Sequence, residues 1–180
     1  MADIRGSIEK TGGDFVEIPD RRDAIRSSIL HAQPGDMIAV IGKGHEDYQE
    51  INGVRHHFLD REVIEETILD ILRCEGSLIT RELRAACGFT GPRMRSRFDA
   101  YLTRLEMGGY IVTEDFIYPL DRHGREYGWG WSLLTTPERL FGRKACHPDR
   151  SPQESRERML TQFQKILPHE SEKTYAALLK

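Results

Sequence analysis

Two groups of residues in this 180-residue chain have types and spacings suited to chemistry. The first is Gly42-Lys43-Gly44-His45-Glu46, which follows directly on the apolar run Met37-Ile-Ala-Val-Ile41. Such a run reads as a strand buried on both faces of a parallel sheet. A glycine-rich turn at its carboxyl end lets a ligand approach the backbone, at the edge where α/β sheets bind ligands. It is not a phosphate cradle, having neither the spacing nor the hydroxyl residue after lysine. Phosphoryl transfer depends on positioning and charge neutralisation, so a chain without that cradle is not expected to perform it alone. No catalytic residue and no cofactor is assigned.

The second group is arginine-rich. Arg81, Arg84, Arg93, Arg95, Arg97 and Arg104 face only Glu82 and Asp99 in the same stretch. On a helix, Arg93, Arg97 and Arg104 fall within about 40° of one another. An arginine row of this kind contacts phosphates and groove edges of double-stranded DNA, each planar fork gripping phosphate at two points. The other reading is a solvated basic face, or arginines paired with acidic residues elsewhere. His45, His56 and His57 lie close in sequence, but no cysteine or carboxylate set completes a metal site, so none is expected. Cys74, Cys87 and Cys146 are odd in number and lack metal-type spacing, which fits reduced thiols in a cytoplasmic protein.

The elements that must position these residues follow from periodicity and punctuation. Phe15-Val-Glu-Ile18 alternates like a strand, and Asp20 caps a helix to about Ala32 with Ala24, Ile25, Ile29 and Leu30 inward. Pro34-Gly-Asp36 is a turn before the apolar run. Asn52-Gly53, between Tyr48–Ile51 and Val54–Phe58, is a strong hairpin signal. Asp60 caps a helix through Arg73, with Val63, Ile64, Ile68 and Leu72 at helical spacing. Beyond it come a short extended Gly76–Ile79, a helix from Thr80 to Gly88, and a helix from Pro92 to about Met107. The last has a core stripe of Met94, Phe98, Leu102 and Leu105 with Tyr101 at its edge. Tyr110–Tyr118, with a bulge, pairs back with Tyr127–Leu134 through a turn at Asp121–Gly124. Tyr118, Tyr127, Trp129 and Trp131 in this hairpin are read as core rather than as base-stacking residues. Helix, strand, helix, helix and hairpin is the order of a winged helix. A polar connector at 146–153 leads to an amphipathic helix from Pro152 to Leu167.

The fold class expected is therefore α/β, a Rossmann-like unit over 1–70, followed by an α+β winged-helix module over 71–145 and a helical extension over 146–180. Charge divides at the same boundary. Residues 1–70 hold 8 Lys and Arg against 15 Asp and Glu, a net of −7, while residues 71–180 hold 18 against 14, a net of +4. Opposite signs suggest modules with different partners. Apolar residues at 38%, charged residues at 31% and the lack of a long uncharged run argue against a disordered or membrane-spanning chain.

Two resemblances accompany this reading. Asp20-Arg21, Ala24-Ile25, Pro34-Gly-Asp36, Gly42-Lys-Gly-His-Glu-Asp-Tyr-Gln49 and Phe58-Leu-Asp-Arg-Glu-Val63 make about a third of the chain resemble the C-terminal domain of the Mur ligases, specifically the MurE type. The resemblance implies that Gly42, Lys43, Gly44, His45 and Glu46 hold the incoming amino acid, Gly42 through its backbone and Glu46 through its carboxylate on the ammonium. The family's ATPase domain, its UDP-sugar domain and its Asp-Asn-Pro-Arg motif have no counterpart here. From about Leu72 to Leu167, Gly76–Leu83, Phe98–Leu105, Asp115-Phe116, Gly124, Tyr127-Gly-Trp129, Thr136-Pro-Glu138 and Phe141-Gly142 resemble winged-helix proteins related to the AlkZ/YcaQ-type DNA glycosylases. Gln162-Phe-Gln164 looks like that family's catalytic element, but it falls in the terminal helix and is read as chance.

Three functions follow as expectations. The first is a non-catalytic, nucleic-acid-binding or regulatory protein in which a truncated ligase-like module is fused to a winged helix. The second is an accessory or remnant of a MurE-type ligase in peptidoglycan synthesis, binding an amino acid or muramyl peptide. The third is a fusion whose winged helix binds only protein. Residues 1–60 supply fewer strands than a Mur-type C-terminal domain holds, so a partner or a second copy of the chain is expected to supply the rest, and a homodimer is expected.

Overall fold

The structure is a computed structural model, and it describes residues 2–33, 36–44, 46–91 and 94–179. The expected turn at Pro34-Gly35, the helix start at Pro92, and the candidate site residues His45 and Arg93 lie outside the described residues. The chain divides into two compact units, Met1–Leu140 and Phe141–Lys180.

In the first unit α1 (Ala2–Glu9) and α2 (Arg21–Leu30) precede an antiparallel hairpin of β1 (Tyr48–Ile51) and β2 (Val54–His57). The remainder runs α3 (Asp60–Glu75), β3 (Leu78–Ile79), α4 (Thr80–Ala86), α5 (Arg95–Met107), β4 (Val112–Ile117) and β5 (Trp131–Thr135), with α6 (Pro137–Phe141) at the boundary. β5 lies between β3 and β4 in an antiparallel sheet. The second unit holds α7 (Arg143–Cys146), α8 (Pro152–Ile166) and α9 (Glu172–Leu178). The chain is thus mixed helix and sheet, and no helix among the described residues is long and apolar enough to cross a membrane.

Local chemistry explains most of these boundaries. The Asp20 carboxylate accepts from the backbone N–H of Asp23 at 2.9 Å and so starts α2. Asn52 and Gly53 both have positive φ, +52° and +78°, as a two-residue hairpin turn demands. Ser151 and Glu154 form a reciprocal capping box at the start of α8. Asp60 and Thr80 are not caps but the first residues of their helices.

One hydrophobic core joins the acidic and basic stretches. Ile25 and Ile29 from α2 pack with Ile64, Ile68 and Leu72 from α3, and the same cluster continues through Leu83, Phe98, Leu105 and Leu134. The expected stripe of α5 is buried at Phe98, Leu102 and Leu105. Cys87 lies in this cluster, fully buried, and burial pushes its thiol up to about 12. A thiol reagent at about pH 8, where ordinary thiols near pKa 8.5 react, should therefore modify exposed Cys74 quickly. Cys87 should react only on unfolding. Peptide mass spectrometry checks this, and rapid labelling of native Cys87 would contradict the packing.

Two expectations are corrected. Met37–Ile41 is not a buried parallel strand: it pairs with no strand among the described residues, and Met37 and Ile41 are 76% and 79% exposed. A strand exists only by hydrogen bonding to a neighbour, and both sheets present are antiparallel and built from later residues. Phe15–Ile18 is likewise not a strand, with Val16 exposed, and Leu30 is exposed rather than inward. The α/β expectation therefore holds only as a mixture of helix and sheet.

Candidate functional site

The glycine turn is held from three sides. Gly42 and Gly44 have φ of +96° and +69°, a region that glycine enters without a Cβ penalty. Lys43 Nζ donates to the carbonyls of Glu46 and Phe58, each at 2.5 Å, and lies 5.5 Å from the centre of the Phe58 ring. The Arg21 guanidinium donates to both carboxylate oxygens of Asp60 at 2.8 Å and to the Ile41 carbonyl at 3.2 Å. That fork holds the Asp60 carboxyl below its usual range. Lys43, expected at the amino acid, thus has its ammonium on backbone carbonyls that fix the turn. Glu46 is exposed. Of the two other histidines near this turn, His57 Nε2 sits 3.0 Å from Glu62, and His56 pairs across the hairpin with Gln49. The described residues contain no group of three or more potential metal ligands.

The six arginines separate in space. Arg104, on α5, pairs with Glu65 of α3 and lies 4.9 Å from the Tyr101 ring centre. It is directed at the acidic stretch. Arg95 is 4.0 Å from Asp99 one turn on, a weak exposed pair. Arg84 is half-buried and Arg97 exposed, and neither makes an ion pair among the described residues. Arg81 lies 5.3 Å over the Trp131 ring, joining α4 to the hairpin through a cation–π contact.

That hairpin corrects the expectation that its aromatic residues are core. Trp129 is 93% exposed, and Tyr118, Tyr127 and Trp131 are also exposed. Only the base of the hairpin is packed, at Leu134 and Thr135, while most of β4 is open to solvent. A register shift between Thr113 and Asp115 supplies the expected bulge. Gly130 allows close approach, since a Cβ there would lie 3.0 Å from the Tyr118 ring and 3.1 Å from Phe116 Cβ. At the tip, Asp121 accepts from the backbone N–H groups of His123 and Arg125 at 2.7 and 3.0 Å, which holds its carboxyl below the usual range.

Exposed Phe116 enters the sequence reading only within the AlkZ/YcaQ-type resemblance, with no role assigned. Its spacing two residues before Tyr118 was the available signal, because alternate strand residues share a face. Exposed Arg61 likewise enters only within the Mur-ligase resemblance, and its helical position next to the cap signal at Asp60 assigns it no role.

Known proteins of two kinds resemble this chain. The UDP-N-acetylmuramoyl-L-alanyl-D-glutamate–2,6-diaminopimelate ligase of Bacteroides thetaiotaomicron is 57% identical over 51 residues, which is 28% of this chain and 11% of that enzyme. The ligase of the same name from Aquifex aeolicus is 55% identical over 68 residues, 38% of this chain and 14% of the enzyme. The chain therefore spans only about a tenth to a seventh of the length of these relatives. No solved structure matches. The arginine-bearing helices, the aromatic hairpin and the second unit all fall within residues 55–180, which match the family model described as AlkZ related, and on that span the chain belongs to the AlkZ-related family.

Proposed function

We propose that the protein binds duplex DNA through α4, α5 and the β4–β5 hairpin, with the ligase-like segment serving as a buttress for α3 and α5 rather than as a ligase. The element order, with β5 between β3 and β4, agrees with a winged helix whose wing is that hairpin. The observation that carries the proposal is the contact of Arg81 on α4 with Trp131 on the hairpin; Arg84 on the same helix and Arg97 on α5 have no carboxylate partner among the described residues. Cations without internal partners are available to phosphates, and exposed aromatic rings suit groove or base contacts. The use of Lys43 within its own turn argues against the reading in which that turn serves an amino acid.

Fluorescence anisotropy with a labelled duplex tests this. Binding should weaken steeply with salt, since each neutralised phosphate releases counterions. Arg84→Ala and Arg97→Ala should each lower the salt slope by about one and weaken binding to all sequences alike. No binding by the intact protein at about 50 mM salt, where such contacts are strong, refutes it.

A further inference from the structure

A cavity of about 210 Å³ lies in the first unit, where α2, the 38–40 segment, the start of α3 and the α4–α5 connection meet. Its buried wall is aliphatic, formed by Ile25, Ile29 and Ile64. Phe89 and Tyr101 continue that wall, their rings edge-on at 5.9 Å. The aliphatic part of the wall offers no hydrogen bonds, so it rejects strongly hydrated groups and accepts an apolar body. The exposed part of the lining is charged and unbalanced. Asp60 contributes its carboxylate, yet both of its oxygens are already held by Arg21. Arg61 and Arg97 also line the cavity, and neither has an ion-pair partner among the described residues. Burial pushes the Tyr101 hydroxyl up, so it stays neutral and able to donate at neutral pH.

From this juxtaposition we infer that the cavity is a binding site for a small amphipathic carboxylate, its apolar body against Ile25, Ile29 and Ile64 and its anionic head between Arg61 and Arg97. The arginine fork suits a carboxylate in two-point contact. A neutral analogue of the same body keeps the apolar burial and loses the head contacts. A cationic analogue meets two like charges. The cavity draws on α5 and the α4–α5 connection, which lie within the AlkZ-related span.

Calorimetry and thermal melting of the full chain, without DNA, test the inference with octanoate, octan-1-ol and octylamine. Octanoate should raise the melting temperature at millimolar concentration and bind about tenfold or more tightly than octanol, the margin expected of a charge-assisted contact. Octylamine should bind more weakly than either. Arg61→Ala and Arg97→Ala should each weaken octanoate about tenfold and leave octanol unchanged. Ile38→Trp, at a half-buried position of the lining, should fill the space and abolish binding of both. The site is refuted if octanol binds as well as octanoate, if the arginine variants bind octanoate normally, or if octanoate binding survives Ile38→Trp in folded protein.

Discussion

Replacing Phe98 with alanine lowers the stability of the protein by about 3–5 kcal/mol, the range for truncating a buried phenylalanine. Phe98 is fully buried on α5, 5.4 Å from the Phe89 ring centre, in the cluster that also holds Ile68, Leu72 and Leu83. The loss combines transfer of the ring to water with a cavity that its neighbours fill only in part. Since domains of this kind are stable by about 5–15 kcal/mol, one truncation removes a large share of the total. Urea denaturation followed by circular dichroism measures it. Phe98→Leu, which keeps most of the volume, should cost nearer 1 kcal/mol. A loss below about 1 kcal/mol for Phe98→Ala would mean that α5 is not seated on this core.

Gly88→Ala is expected to cost about 2–4 kcal/mol, from a backbone strain and a steric clash acting together. Gly88 has φ of +74°, and a Cβ there would lie 2.6 Å from Ala32 Cβ and 3.7 Å from Ile38 Cδ1. The obstacle is Ala32 Cβ, which is not a flexible chain end because Ala32 can move only with its backbone, whereas Ile38 Cδ1 at 3.7 Å would be in ordinary contact. Ala32 falls in the acidic stretch and Gly88 in the basic one, so the substitution interrogates their union. A single unfolding transition should shift as a whole, as expected where one core spans both stretches. Adding Ala32→Gly should recover the steric part and leave the cost of positive φ. A normal Gly88→Ala protein, or a double variant no better than the single, overturns this account of the contact.

Much of the fold was legible where a residue type forces a local geometry. Asp20 capped its helix because a short acceptor side chain reaches a free N–H without outside help. Asn52-Gly53 turned because both positions adopt positive φ, and Ser151–Glu154 satisfied each other's donors. The run Met37–Ile41 misled because an apolar strand is a statement about neighbours, and those were not in the described chain. The hairpin misled differently. Aromatic content suggested burial, but whether a ladder is covered depends on how far the helices reach along it, and no local pattern carries that length. The arginines show the same limit. Helical spacing placed Arg97 and Arg104 on one flank, yet Arg104 meets Glu65 on another helix while Arg97 does not. Of the amino-acid set, Lys43 was legible by resemblance as a ligand group, and only tertiary contacts revealed its donation to Glu46 and Phe58 carbonyls.

The exposed hairpin has an optical consequence. The chain contains two tryptophans, and both Trp129 and Trp131 sit on this one element. Emission excited selectively through indole therefore reports a single hairpin rather than the protein at large. Trp131 carries a guanidinium over its ring while Trp129, just before β5, stands almost fully in water, so the two indoles occupy different surroundings within one hairpin. A ligand that docks against that hairpin should alter this emission without a dye, whereas unfolding around Phe98 leaves Trp129 in the water it already occupies.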